Sequence, residues 1–179
     1  MQKLKNEGLN RMDVEQFRTS EKTPLIIVLD QVRSALNVGS VFRTADAFLV
    51  EQLYLCGITA VPPHKDILKS ALGSTETVGW KYFEKTTDAV AELKKSGYKI
   101  IAVEQAVESI SLQDFKVSEK EKIAVVFGHE VNGVDEAVLK LCDACVEVPQ
   151  FGTKHSLNIA VCAGIVVWDI FVKFRKINT

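Results

Sequence analysis

Three short segments gather the side chains able to do chemistry. The first is Asn37-Val38-Gly39-Ser40-Val41-Phe42-Arg43-Thr44-Ala45-Asp46. Its asparagine can cap a helix, and its guanidinium stands about two helical turns further on, a pairing able to orient an anionic or hydroxylic ligand. A cap followed by an ordinary surface arginine accounts for the same residues. The second is Phe127-Gly128-His129-Glu130-Val131-Asn132-Gly133. Two glycines permit tight backbone turns against a ligand, and Glu130 offers a carboxylate to a donor such as an arginine. A plain turn with a solvated glutamate explains it equally well. The third is Val148-Pro149-Gln150-Phe151-Gly152-Thr153-Lys154-His155-Ser156-Leu157-Asn158. Pro149 and Gly152 shape a loop, Ser156 or Asn158 can cap a following helix, and both offer neutral hydrogen bonds to a polar ligand. Lys154 and His155 add two cationic candidates, and capping alone remains the simpler alternative.

These segments need elements to hold them. Continuous apolar, β-branched runs at 25–29, 53–56, 99–103, 123–127 and 145–148 predict strands buried on both faces. Helical patterns fill the gaps at 38–48, 87–96 and 134–141, and a long one runs from 156 to 174. In the 87–96 helix, threonines at the start are expected to cap and Gly97 to stop it. Strand and helix alternation with short links predicts an α/β fold around a mainly parallel sheet. The first segment would then open a helix at the carboxyl end of a strand, where such folds place ligands. The terminal helix is apolar nearly all round, including Val161, Ile165, Trp168 and Phe171, which suits a central core position or a subunit interface, and we favour the interface.

Composition narrows the classes. The 179 residues are 47% hydrophobic and 25% charged, as expected for one folded domain. A net charge of −1 supplies no global positive field, so any nucleic-acid contact must use local patches. Lys3, Lys5, Arg11, Arg18 and Lys22 form one candidate and Lys173, Arg175 and Lys176 another, although interspersed acids such as Glu7 and Asp13 also fit simple solvated charge. The N-terminus lacks the apolar core of a signal peptide, and the longest apolar stretch, 159–172, is short of the roughly 20 residues needed to span a bilayer. A cytoplasmic protein without membrane attachment is expected. Cys142-Asp143-Ala144-Cys145 is a lone C-x-x-C, and Cys145 sits in an apolar run where a small hydrophobe suffices, so neither disulfide nor metal is expected. None of the ten glycines stands two positions from another, which removes the dinucleotide fingerprint. Gly128 and Gly133 have phosphate-loop spacing, but Val134-Asp135 replaces its Lys-Ser/Thr.

In this order the three segments resemble the SpoU (TrmH-type) branch of the SPOUT RNA 2′-O-ribose methyltransferases. That family's pattern runs N-x-G-x-x-x-R-T-A, then G-x-E-x-x-G, then I-P-x-x-G-x-x-x-S-L-N, and the likeness covers residues 24 to 172. Val148 replaces the usual isoleucine and Gln150 a common methionine. The resemblance implies a domain over residues 24–179 behind a short extension, 1–23, with a mainly parallel sheet flanked by helices and a C-terminal trefoil knot. It implies S-adenosylmethionine (SAM) held by Gly128, Val148 and Leu157, with Ala102 and Gln150 as neighbours. Arg43 would be catalytic, Asn37 would position Arg43 or the ribose, and Glu130 would hold Arg43 or a residue of a second copy. Ser156 and Asn158 would support the nucleotide and the motif loops. A homodimer through the C-terminal helix and an RNA substrate, transfer RNA ahead of ribosomal RNA, complete the expectation. The rival is an RNA-binding protein of the same fold that no longer catalyses and acts in RNA folding or assembly. Retention of Asn37, Arg43, Glu130, Ser156 and Asn158 together argues against it.

Overall fold

A computed structural model describes residues 11–176. Its strands are β1 (Thr23–Asp30), β2 (Val50–Cys56), β3 (Gly79–Phe83), β4 (Tyr98–Val103), β5 (Ile110–Ser111), β6 (Lys122–Phe127) and β7 (Ala144–Glu147). Its helices are α1 (Val14–Thr19), α2 (Ala35–Ala47), α3 (Lys65–Ala71), α4 (Ser74–Thr77), α5 (Thr86–Lys95), α6 (Glu136–Leu139) and α7 (Ile159–Arg175). The strands form one sheet in the order β3-β2-β1-β6-β4-β7-β5, and every pairing is parallel.

The apolar runs explain the layering. In β1, Leu25, Ile27 and Leu29 point into a core shared with α2 and α7, while Ile26 and Val28 point into a second core under α5 and α6. Both faces of a parallel strand must be covered, and each fully buried leucine or isoleucine contributes about 1.5–3 kcal/mol. Register aligns the strand ends: Phe127 pairs with Leu29 and with Val103, and Val103 pairs with Val146. The loops leaving β1, β4, β6 and β7 therefore open on one edge of the sheet. Asp30, 1% exposed at that edge, accepts from the Thr86 hydroxyl at 2.5 Å and from the Asp135 N–H at 3.0 Å, tying the β1 end to α5 and to the loop after β6.

Several local expectations change. Asn37 does not cap α2; Ser34 does, its hydroxyl accepting from the Asn37 N–H at 3.3 Å. The helix starts early because the Glu130 carboxylate takes the N–H groups of Arg33 and Ser34 and fixes the turn before it. No side chain caps α5, since Thr86 turns inward to Asp30, but Gly97 follows that helix with φ +81° as expected. Asn158, not Ser156, caps α7, accepting from Ala160 and Val161 at 2.9 and 3.4 Å. The half-exposed edge strand β3 and the short helices α1, α3 and α4 had no periodic signal strong enough to find. Phe17 of α1 is buried against the main core, so the segment before the sheet is partly built into it.

The basic patches are partly engaged within the chain. Lys3 and Lys5 lie outside the described residues. Arg18 donates to the Glu76 carbonyl at 2.7 Å, Lys173 donates to Asp169 and to the Leu112 carbonyl, and Lys176 pairs with Glu119. On α7, Ala163, Val166, Val167 and Ile170 are fully buried, whereas Val161, Ile165 and Trp168 are 53, 39 and 45% exposed. Among the described residues no helix is long and apolar enough to cross a membrane.

Candidate functional site

The loop after β6 is pinched shut. His129 and Gly133 exchange both backbone hydrogen bonds at 2.9 Å. A Cβ on Gly128 would lie 2.1 Å from the carbonyl carbon of Gly133, and Gly133 itself has φ +70°, so both positions exclude other residues. The His129 ring finishes the turn, its Nδ1 accepting from the N–H groups of Val131 and Asn132 at 3.0 and 3.3 Å.

This turn aims Glu130 at the start of α2. Its oxygens accept from the Arg33 and Ser34 N–H groups, each at 3.1 Å, and from Asn37 Nδ2 at 3.4 Å. Burial pushes the carboxyl upward, but these hydrogen bonds and one from its own backbone outweigh it and hold the group below the usual glutamate range. Asn37 turns its other side-chain atom to the third segment, Oδ1 accepting from Asn158 Nδ2 at 3.2 Å. One amide thus joins all three segments, across 93 residues to Glu130 and 121 to Asn158.

Beside this junction, at the carboxyl ends of β4, β6 and β7, lies a cavity of about 490 Å³. Of the residues singled out from sequence, Gly128, Glu130, Gly133, Val148, Gln150, His155, Ser156, Leu157 and Asn158 line it, and Lys154 does not. Ala102 does not: it is fully buried within β4, and the residues that follow it, Val103, Glu104 and Gln105, form the wall instead. Asn37 stands behind the rim. Arg43 is exposed further along α2 and has no hydrogen-bond or ion-pair partner among the described residues, so Glu130 does not hold it. Glu130 has its oxygens engaged by the α2 entry turn instead.

Sequence reasoning missed Glu104, Glu147, His129 and Cys162, which also line the cavity. Glu104 and Glu147 end or follow apolar strands, and a search of strand ends for carboxylates would have found them. Burial pushes the Cys162 thiol up to about 11 and Cys142 likewise, and raises Cys145 as well, so these sulfurs stay protonated and weakly nucleophilic.

The cavity's chemistry suits SAM. Its volume is within the ~300–1,000 Å³ of small-molecule sites, and Val103, Phe127, Val148, Leu157 and Ile159 offer apolar walls to a flat base. Three glutamates and two histidines, His129 and His155, line it and, among the described residues, no lysine or arginine does, so its fixed charge is negative and suits a cationic sulfonium. Gly128 and Gly133 let the turn close on itself and on Glu104 beside the cavity, where a Cβ at either position would clash.

Comparison with known proteins agrees with this geometry. Residues 24–168 match the model of the SpoU rRNA Methylase family. The chain is 27% identical over 163 residues to a tRNA (guanosine(18)-2′-O)-methyltransferase of Borreliella burgdorferi, covering 91% of this chain and 73% of that protein. It has the fold of an AdoMet-bound rRNA methyltransferase from Sinorhizobium meliloti, with a TM-score of 0.78 and 23% identity over 91% of this chain and 61% of the other. It is also similar, with a TM-score of 0.75 and 25% identity, to a protein whose structure concerns 2-OH methylation of C/U34 on tRNA, covering 86% of this chain and 99% of that one.

Proposed function

The chain belongs to the SpoU rRNA Methylase family, and from that premise we propose that it methylates the ribose 2′-hydroxyl of an RNA, with SAM as donor. The observation that carries the reading is the Asn37 junction, which brings the three family segments to the rim of one cavity of suitable size and charge. Bound there, SAM supplies an electrophilic methyl group on a positively charged sulfur.

The protein's share of the reaction is positioning and proton management. Val148, Leu157 and the Gly128 backbone hold the donor, with Gln150 at the edge. Ser156, exposed at the mouth, offers a hydroxyl to the incoming nucleotide. Arg43 acts as the cation on the RNA side: a guanidinium remains protonated at neutral pH, so it orients the target phosphate and hydroxyl while a phosphate oxygen or water accepts the proton. That Arg43 has no partner among the described residues supports that role. Asn37, Glu130 and Asn158 keep the α2 start, on which Arg43 rides, at a set distance from the cavity.

Transfer RNA is the proposed substrate. The Borreliella relative acts on it, and the C/U34 methylation protein, almost wholly covered by this chain, concerns it too. We place the methyltransferase unit at residues 24–179 and assign the exposed apolar face of α7 to a homodimer contact. A trefoil knot in the 148–158 segment belongs to the same reading. The segment leaves β7 and ends beside α2, having crossed the ends of β4 and β6.

The deciding experiment incubates the purified protein with tritiated-methyl SAM and, separately, unmodified bulk transfer RNA and ribosomal RNA. Nuclease digestion and nucleoside mass analysis follow. A 2′-O-methylated nucleoside from transfer RNA that vanishes with Arg43→Ala is the expected result. SAM binding without transfer to either RNA would overturn the reading in favour of a non-catalytic RNA-binding protein.

A further inference from the structure

The cavity contains more negative charge than its own structure uses. Glu130 is engaged by the α2 entry turn, which leaves Glu104, just beyond β4, and Glu147, at the end of β7. Both are half-buried, and neither has an ion-pair partner among the described residues. Glu104 accepts from the Gln105 N–H at 2.9 Å and the Val134 N–H at 3.1 Å, so it is held rigidly against the glycine turn with lone pairs to spare. Glu147 has no side-chain hydrogen bond to any described residue. Carboxylates that face a cavity with no cation of their own are free to pair with a cationic ligand.

We infer that Glu104 and Glu147 are the counter-charges of the methyl donor, and that they make the site discriminate the sulfonium of SAM from the uncharged thioether of its product, S-adenosylhomocysteine. The inference rests on the proposed methyltransferase reading. Donor and product share the adenosine and the amino-acid end, and the ammonium and carboxylate of that end offset each other. Their difference is one methyl group and one positive charge, so a fixed negative field at the sulfur weakens retention of the product relative to the donor. Loss of the methyl group then itself reduces the attraction, which favours product exchange between turnovers.

The test is equilibrium binding of SAM and of S-adenosylhomocysteine, measured by titration calorimetry on the wild type and on Glu104→Gln and Glu147→Gln. Glutamine keeps the shape and one acceptor oxygen while removing the charge. The expected result is a fall of about three- to tenfold in the SAM-to-product affinity ratio for each variant, smaller at high salt. If Glu104 serves only as a clamp for Val134, both affinities fall together, the ratio stays at the wild-type value, and the inference is overturned for that residue. Glu147→Gln breaks no hydrogen bond of the described structure, so an unchanged ratio there overturns it without any folding defect to explain the result. Wild-type protein that binds neither ligand would overturn the methyltransferase reading and the inference with it. Wild-type protein that binds both, with unaltered ratios in both variants, sinks the inference alone.

Discussion

Glu130 and Arg43 are proposed to do different work. Among the described residues every polar contact of Glu130 is structural and Arg43 has none, so their variants separate. Arg43→Ala is expected to lower methyl transfer by on the order of 10²–10³, as removal of a single positioned charge does elsewhere, while SAM affinity stays at the wild-type value because Arg43 lines no part of the cavity. Filter-based transfer assays beside calorimetry would show this, and a matching loss of SAM affinity would contradict it. For Glu130 the prediction concerns pH. Hydrogen bonds to its charged form hold its carboxyl below the usual range, so its stabilising effect is present above the unfolded glutamate value near 4.3 and disappears as pH falls through the lower folded value. Melting temperatures of wild type and Glu130→Ala should therefore differ most at pH 6–8, with the gap narrowing as pH falls below about 4.3. A gap that is constant across that range would show that the carboxylate charge contributes nothing.

At the scale of elements, α7 depends on Asn158 for two unlike things. Its Oδ1 caps the helix, and its Nδ2 reaches Asn37. Asn158→Asp keeps the cap but places an acceptor against the Asn37 oxygen, whereas Asn158→Ala removes both. Urea denaturation is expected to show Asn158→Ala less stable by about 1 kcal/mol and Asn158→Asp closer to wild type, with methyl transfer impaired in both. Full activity in Asn158→Asp would mean that the junction does not position the rim. The register of α2 is set in a similar way. Ser34 and Asn37 are both good caps three residues apart, and their own preferences do not choose between them. The carboxylate of Glu130, arriving from 96 residues away at Ser34, does.

The whole molecule shows an imbalance on α7, whose inner face is buried while Val161, Ile165 and Trp168 remain open on the other. A second copy covering that face would remove this apolar area from water. Ile165→Lys places a charge in the middle of the proposed contact, where the single chain leaves the position 39% exposed and loses little. Sedimentation equilibrium should find the wild type dimeric and Ile165→Lys monomeric, and a monomeric wild type would refute the assignment. The same scale explains the modest basic character. Lys173 and Lys176 are tied to Asp169 and Glu119, so the terminal lysines are poorer RNA contacts than their sequence suggests, whereas Arg43 is exposed on α2 with no partner among the described residues.

The layers and the three segments are legible along the chain, because both are local. β1, β4 and β6 announce burial on two faces through unbroken apolar runs, and Gly128, Gly133 and the Ser156-Leu157-Asn158 triplet are legible within a few residues. Which of these touch emerges only on folding. Folding made Asn37 a junction rather than a cap, gave Glu130 to the α2 entry instead of Arg43, sealed Ala102 in the sheet, and brought Glu104 and Glu147 into the cavity wall. The reason is geometric: parallel strands align the ends of segments far apart in the chain, and which side chains meet there depends on strand order and register, which no single segment encodes.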